Sequence, residues 1–194
     1  MNILVLGPQG SGKGTQAKLI RSTYGLAHIA TGDMIREIKE LSTDLGRELK
    51  AVYDRGDLVS DELMIRLIED RLSRGDTLPG FILDGFPRTM AQAEALDELL
   101  REHERQLDVV FALQVPDREA LLERMVKRAA EENRSDDTPE AIERRLELYE
   151  RETAPLVEYY RTTRGNVVGI HADRSVDEVF QEIRSALSSV EARA

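Results

Sequence analysis

The chain of 194 residues has no cysteine, which removes disulfides, thiol nucleophiles and thiolate metal sites, Cys-type zinc centres included. Histidine is scarce as well: His28, His103 and His171 are spaced too widely to form a local ligand cluster. No window approaches the roughly 20 apolar residues of a membrane span. The apolar start at residues 3–6 is too short for a signal-peptide core and runs straight into glycine, so the expected location is the cytoplasm. There is no excess of positive charge either. Lys+Arg 27 against Asp+Glu 37 gives a net charge of −10, which repels nucleic-acid backbones and anionic lipid headgroups and argues against both as partners. No internal repeat or low-complexity run interrupts the chain. Hydrophobic residues at 41% and charged residues at 33% suit a soluble globular protein, and the length suits one domain with small insertions.

Lysine is also rare. It occurs only at positions 13, 18, 39, 50 and 127, so arginine supplies 22 of the 27 cations. Arginine presents a planar fork that grips phosphate through two hydrogen bonds, whereas lysine is a point charge. Most arginines nonetheless suit a solvated surface, paired to glutamate four residues away, as Glu140 with Arg144 and Glu147 with Arg151. Position must therefore separate functional arginines from surface ones.

Hydrophobic patterning predicts five short strands, at 2–6, 27–30, 81–83, 108–115 and 167–170, alternating with helices. Helices are expected at 13–24, closed by Gly25, and at 33–41, 45–54, 61–72, 89–102, 118–130 and 176–187. Another starts at Thr138-Pro139 and runs to about 164 with an interruption at Pro155. Residues 188–194 read as a frayed tail. Strands separated by helices predict an α/β fold: a parallel sheet with helices on both faces and ligands at the carboxyl ends of the strands. Between Thr31 and Gly56 no strand is evident, which makes that stretch a helical insertion and a candidate moving part.

Gly7-Pro-Gln-Gly-Ser-Gly-Lys-Gly-Thr15 lies between a buried strand and a helix, the context a phosphate loop requires. Glycines there let backbone N–H groups curl around oxyanions, the helix N-terminus adds a positive field, and Lys13 reaches the terminal phosphates. The usual pattern places a hydroxyl directly after the lysine. Here Gly14 follows Lys13 and the hydroxyl arrives one position later, at Thr15.

Gly-Lys-Gly-Thr resembles the loop of nucleoside monophosphate kinases. Thr31-Gly-Asp-Met-Ile-Arg36 and Asp84-Gly-Phe-Pro-Arg88, with Gln92, are similar to motifs of adenylate kinases, in family order and over nearly the whole chain. The resemblance implies a P-loop NTPase-type five-stranded parallel sheet carrying a helical acceptor-binding insertion at 30–59 and a lid at 128–137, with the core at 1–29, 60–127 and 138–194. Only five residues separate Arg128 from Arg134, too few for the β-rich lid of the longer family members, so a short-lid form is expected.

The resemblance also implies roles. ATP would be held by Gly10, Ser11, Gly12, Lys13, Gly14, Thr15, Arg124, Arg128 and Arg174; AMP by Thr31, Arg36, Asp57, Leu58, Val59, Gly85, Phe86, Pro87, Arg88, Gln92, Arg134 and Arg145. Lys13, Arg88, Arg124, Arg134 and Arg145 would act in transfer, and Asp84 with Thr15 would orient Mg²⁺ through bound water, since that ion dehydrates reluctantly. Pro87 fixes the turn that holds Arg88 at a strand end. Arg124 and Arg128, four apart, share a helix face. Asp136 and Asp137 follow Arg134 as paired acids that hold a lid closed or aim the arginines; of Arg144 and Arg145, Arg144 is the expected surface member. Gln9, where proline is usual, is expected to project away from the cradle, and Ala172-Asp-Arg174 resembles a segment that contacts the ATP adenine.

No general base is apparent, and none is needed, because the acceptor phosphate has a second pKa of about 6 and is already ionised near neutrality. What remains is to align two polyanions and exclude water. The expected reaction is ATP plus AMP to two ADP, with Mg²⁺ as cofactor, no zinc, and a monomeric enzyme. A UMP/CMP kinase is the nearest alternative, since adenine preference rests on Thr31 and Gln92 alone. A P-loop hydrolase or switch would have no use for a second nucleotide clamp.

Overall fold

The computed structural model describes residues 1–132 and 136–192. Strands β1 (Asn2–Leu6), β2 (Ala27–Ala30), β3 (Phe81–Asp84), β4 (Val109–Gln114) and β5 (Val167–His171) form one parallel sheet in the order β2-β3-β1-β4-β5. The α/β expectation and all five strands hold. Strands β2 and β3 lie to one side of β1, and β4 and β5 to the other. The chain thus changes direction beside β1, and loops leaving the strands there part to open a crevice at the carboxyl edge.

β1 shows why the sheet is buried on both faces. Ile3 and Val5 point into one apolar layer, Leu4 and Leu6 into the other, and all four are at most 3% exposed. The layer over Ile3 and Val5 is covered by α1 (Lys13–Tyr24), α6 (Arg118–Glu131), α7 (Pro139–Leu148) and α9 (Val176–Glu191). The opposite layer is covered by α4 (Asp61–Leu72), α5 (Met90–Glu102) and α8 (Pro155–Arg164). Helices α2 (Thr31–Lys39) and α3 (Asp44–Asp54) extend that second layer through Ile35, Leu49 and Tyr53, and no strand lies in the stretch they occupy, as expected.

Helix starts follow their capping residues. Thr89 Oγ1 accepts from Gln92 N at 3.3 Å, Thr138 Oγ1 accepts from Ala141 N at 3.2 Å ahead of Pro139, and Ser175 forms a capping box with Glu178. Three helical regions differ from expectation, the first being α2, which spans Thr31–Lys39 instead of 33–41. α9 continues through Glu191, because Val190 packs against the layer that buries Leu187, so the tail expected to fray from 188 is helical there. The interruption near Pro155 begins earlier, as a π-helical turn over Tyr149–Thr153 in which Ala154 N donates to Tyr149 O at 2.8 Å. Proline cannot donate to the carbonyl four residues back and its ring collides with it, and widening the turn by one residue lets the chain pass without breaking. Among the described residues no helix is long and apolar enough to cross a membrane.

Candidate active site

A cleft of about 620 Å³ opens at the carboxyl edge of the sheet. One wall is the loop between β1 and α1. Gly10 and Gly12 take left-handed φ values of 82° and 87°, which curl the loop and aim backbone N–H groups inward, and no acidic residue in the first turn of α1 opposes the field there. Ser11, buried, has a hydroxyl without a partner among the described residues. Lys13 Nζ donates to the Gly7 and Pro8 carbonyls, both at 2.7 Å. Burial pushes its pKa down to about 8; Asp84 opposes that shift, while Arg88 and Arg128 add to it. Gln9 lines the cleft instead of projecting away from it, and its amide oxygen is buried without a hydrogen-bond partner among the described residues.

The departure at Gly14 has a structural reason. A Cβ on Gly14 would lie 3.3 Å from Asp84 Oδ2, so glycine admits the carboxylate at the end of β3 to the floor of the loop. Burial alone would raise the pKa of Asp84, but the His28 imidazole, Lys13 and Arg88 hold it below the ordinary value. The carboxylate is therefore ionised, with Thr15 on the same cleft. Among the described residues no group of three or more His, Cys, Asp or Glu side chains is placed to hold an ion. An anionic oxygen and a hydroxyl, without an all-protein cage, fit a hard cation that keeps its waters and takes further oxygens from phosphates, as Mg²⁺ does.

Guanidinium groups from four elements form the remaining walls. Arg88, after the β3 turn, donates from Nε to Gly85 O at 2.7 Å, and its backbone N–H donates to Gln92 Oε1 at 2.8 Å. Thr153, at the end of the π-helical turn, donates from Oγ1 to Arg88 O at 2.8 Å. Burial lowers the Arg88 pKa from its ordinary value; the Arg145 and Arg36 charges act in the same direction, and Tyr53 and Asp84 oppose it. Arg36 donates to the Tyr53 hydroxyl at 2.8 Å and pairs with Asp33. Arg145 is 7% exposed and bonds Asp136 at 3.0 Å, Asp137, and Tyr53 O at 3.1 Å. Arg128 reaches the other oxygen of Asp137 at 2.6 Å, and Arg124 donates to Ala172 O at 2.9 Å. The paired acids thus hold two arginines at once.

Of the residues singled out from sequence, Gly10 to Thr15, Arg36, Asp84, Gly85, Pro87, Arg88, Arg124, Arg128, Arg145 and Arg174 line this cleft. Arg174 lies at its rim, donating to His171 O at 3.2 Å and pairing with Glu182. Thr31, Asp57, Leu58, Val59, Phe86 and Gln92 are not among the residues that line it. Thr31 Oγ1 donates to Asp84 O at 3.3 Å, and Phe86 and Val59 are core. Gln92 is buried, its amide divided between Arg88 N and Asp61 Oδ1, so here it secures Arg88. Asp57 is taken by Arg144 at 3.1 Å and by Arg55. Arg134 lies outside the described residues. Arg144 is the more exposed of its pair, as expected, but it turns to Asp57 and to Glu147 at 3.8 Å rather than to Glu140. Arg151 pairs with its neighbour Glu152.

The sequence reading missed Tyr53, Lys39, Tyr149 and Thr153. Tyr53 falls with Leu49 at an apolar helix position and reads as core. Lys39 reads as a solvated charge, yet it is buried, 2.9 Å from Asp54 and 3.6 Å from Asp136. No local signal identifies either role, because the partners lie in other elements.

A family model described as Adenylate kinase matches residues 5–165. The protein named adenylate kinase from Bifidobacterium longum (strain NCC 2705) is 48% identical over 187 residues, covering 96% of this chain and 100% of that protein. Those of the same name from Maricaulis maris (strain MCS10) and Caulobacter vibrioides (strain NA1000 / CB15N) are 47% and 45% identical, covering 96% and 99% of this chain and 98% and 100% of theirs. The phosphate loop, the strand-end carboxylate and the arginine walls all lie within the matched residues, and the chain belongs to the adenylate kinase family.

Proposed function

We propose that this chain is a monomeric cytoplasmic enzyme that transfers the terminal phosphoryl group of ATP reversibly to AMP, giving two ADP. The observation that carries this reading is the pairing of two phosphate-binding sets across one cleft: the loop with Lys13 on one wall, and Arg36, Arg88 and Arg145 on the other. A hydrolase needs only the first. Residues 30–59 act as the acceptor-binding insertion and 128–137 as a short lid, which together exclude water when both substrates are bound.

The loop N–H groups and Lys13 hold the β- and γ-phosphates of ATP, while Arg36 and Arg88 orient the AMP phosphate so that one of its oxygens faces the γ-phosphorus in line. That oxygen forms the new P–O bond as the bond from the γ-phosphorus to the β,γ-bridging oxygen breaks, and the electron pair stays on the β-phosphate. Mg²⁺, when bound, neutralises charge on the transferred group, with Asp84 and Thr15 the residues that would hold it through water. Lys13, Arg88, Arg124 and Arg145, with Arg134 from the lid, stabilise the charge spread over the equatorial oxygens. No proton has to be removed.

Mixing the protein with Mg-ATP and each of AMP, CMP, UMP and GMP in turn, then quantifying diphosphates, tests the reading. ADP formation should depend on AMP and fall about a thousandfold in Lys13→Ala. ATP turnover at the same rate without any monophosphate, or faster use of CMP or UMP, would overturn it.

A further inference from the structure

Tyr53, in the last turn of α3, is 7% exposed and lines the cleft, and three separate parts of it hold two different arginines. Its hydroxyl accepts from Arg36 Nη1 at 2.8 Å. Its ring carries the Arg145 guanidinium, with Cζ 4.9 Å from the centroid, and its carbonyl accepts from Arg145 Nη2 at 3.1 Å. Lys39 Nζ is also close to the ring, 5.1 Å from the centroid. Gly32 leaves the room this needs: a Cβ there would lie 3.3 Å from both the Tyr53 hydroxyl and Arg36 Nη1. Arg36, Arg88 and Arg145 repel one another; Arg36 is also paired with Asp33 and Arg145 with Asp136 and Asp137, and among the described residues Tyr53 is the one side chain that touches both Arg36 and Arg145 from the cleft side. An aromatic face attracts a cation without neutralising it, and a phenol oxygen accepts from a guanidinium without taking its charge. Such contacts position an arginine without adding to the charge compensation that its carboxylate partners already give it.

We propose that Tyr53 is a positioning residue of the acceptor clamp, setting Arg36 through its hydroxyl and Arg145 through its ring. The inference rests on the phosphoryl-transfer reading above, in which Arg36 binds the acceptor and Arg145 acts in transfer. The two attachments should then separate in kinetics. Tyr53→Phe removes the hydroxyl and keeps the ring, so KM for AMP should rise about tenfold, the equivalent of one charge-assisted hydrogen bond, with kcat within about twofold. Tyr53→Leu removes both, so kcat should fall about tenfold as well. KM for ATP should stay within about twofold in each.

Steady-state kinetics on wild type, Tyr53→Phe, Tyr53→Leu, Arg36→Lys and the Tyr53→Phe/Arg36→Lys double variant carry the test. In the Arg36→Lys background, Tyr53→Phe should add less than about twofold to KM for AMP, because the guanidinium Nη1 that bonds the hydroxyl is absent and the shorter lysine lacks the fork that the hydroxyl orients. A Tyr53→Phe enzyme with wild-type KM for AMP overturns the proposal. So does an equal change in KM for ATP, or full additivity with Arg36→Lys. Should Tyr53→Leu fail to fold, Tyr53→Phe and the cycle decide alone, since they preserve the packed ring. A wild type that makes no ADP from AMP instead removes the reaction itself, and the inference with it.

Discussion

The two walls of the cleft hold their positive charge by different means. On the loop side the donors are one continuous stretch of backbone with a single lysine, whose ammonium rests on the Gly7 and Pro8 carbonyls of the same loop. On the arginine side the guanidinium groups come from different elements and their supports differ: Arg36 of α2 is held by Tyr53 of α3 and by Asp33 of its own helix, Arg88 by Gly85 of its own strand-end turn, and Arg145 of α7 by Asp136 and Asp137 and by Tyr53 of α3. The loop wall makes the hydrogen bonds of its lysine locally, while its glycines let it pack closely on Leu113, Leu121, Met125 and Asp84. Within the arginine wall Arg145 is paired to buried carboxylates and Arg88, among the described residues, to none, so removing Arg145 should disturb stability as well as chemistry.

Lys13→Ala gives the largest expected effect, a fall in kcat of about a thousandfold from the loss of a preorganised charge at the transferred phosphate. Since it removes a buried ammonium with no carboxylate bonded to it, the melting temperature should not fall. Next comes Arg145→Ala, expected to cost about a hundredfold in kcat and, in denaturant titration, about 1.5–3 kcal/mol of stability, because the buried Asp136 and Asp137 lose one cationic partner while keeping Lys39 and Arg128. Arg88→Ala should match the kinetic loss without the stability loss, since among the described residues no carboxylate forms an ion pair with Arg88. If Lys13→Ala destabilised the fold as much as Arg145→Ala, the contrast between the walls would break.

Protons sharpen the same contrast. Folding depresses the Lys13 pKa from 10.5 to about 8, so between those values the unfolded chain binds more protons than the native one, and this group makes stability rise with pH across that window. The site itself works in the opposite direction. Bound triphosphate favours the charged ammonium, so ATP binding at pH 8 should take up about half a proton at Lys13, readable by calorimetry in two buffers of different ionisation enthalpy. AMP binding should take up close to none, because arginines do not titrate there and the AMP phosphate is already ionised. Equal uptake for both nucleotides would show that Lys13 is not the group responding.

What could be read from the chain follows the same division. The phosphate loop was legible because its function is local: strand, glycines, lysine and helix are contiguous, and a parallel sheet follows from alternating strands and helices, whereas the strand order depends on how the helices pack and was not. The arginine wall was legible where the family resemblance marked it, at Arg36, Arg88, Arg124, Arg128 and Arg145. Tyr53 and Lys39 were not, because an aromatic on an apolar helix stripe and a lysine on a polar one look ordinary until the partner elements are in place. Gln92 illustrates the reverse case: its importance was visible, while its direction, toward Arg88 and Asp61, depended on how α5 docks.

Arg144 and Arg145 give the smallest and most local comparison. Successive helix residues point about 100° apart, so one of the two must face outward, and the phase of α7, set by its Thr138 cap and Pro139, decides which. Arg145 enters the cleft, and Arg144, 42% exposed at its side chain, meets Asp57 across the surface at 3.1 Å. An exposed pair of this kind is worth about 0–1 kcal/mol. Arg144→Ala should therefore leave kcat and both KM values within about twofold and change stability by less than about 1 kcal/mol, against the hundredfold loss expected one residue later. A large rise in KM for AMP in Arg144→Ala, with Arg145→Ala mild, would mean that the helix is phased the other way and that the wall has been built from the wrong arginine.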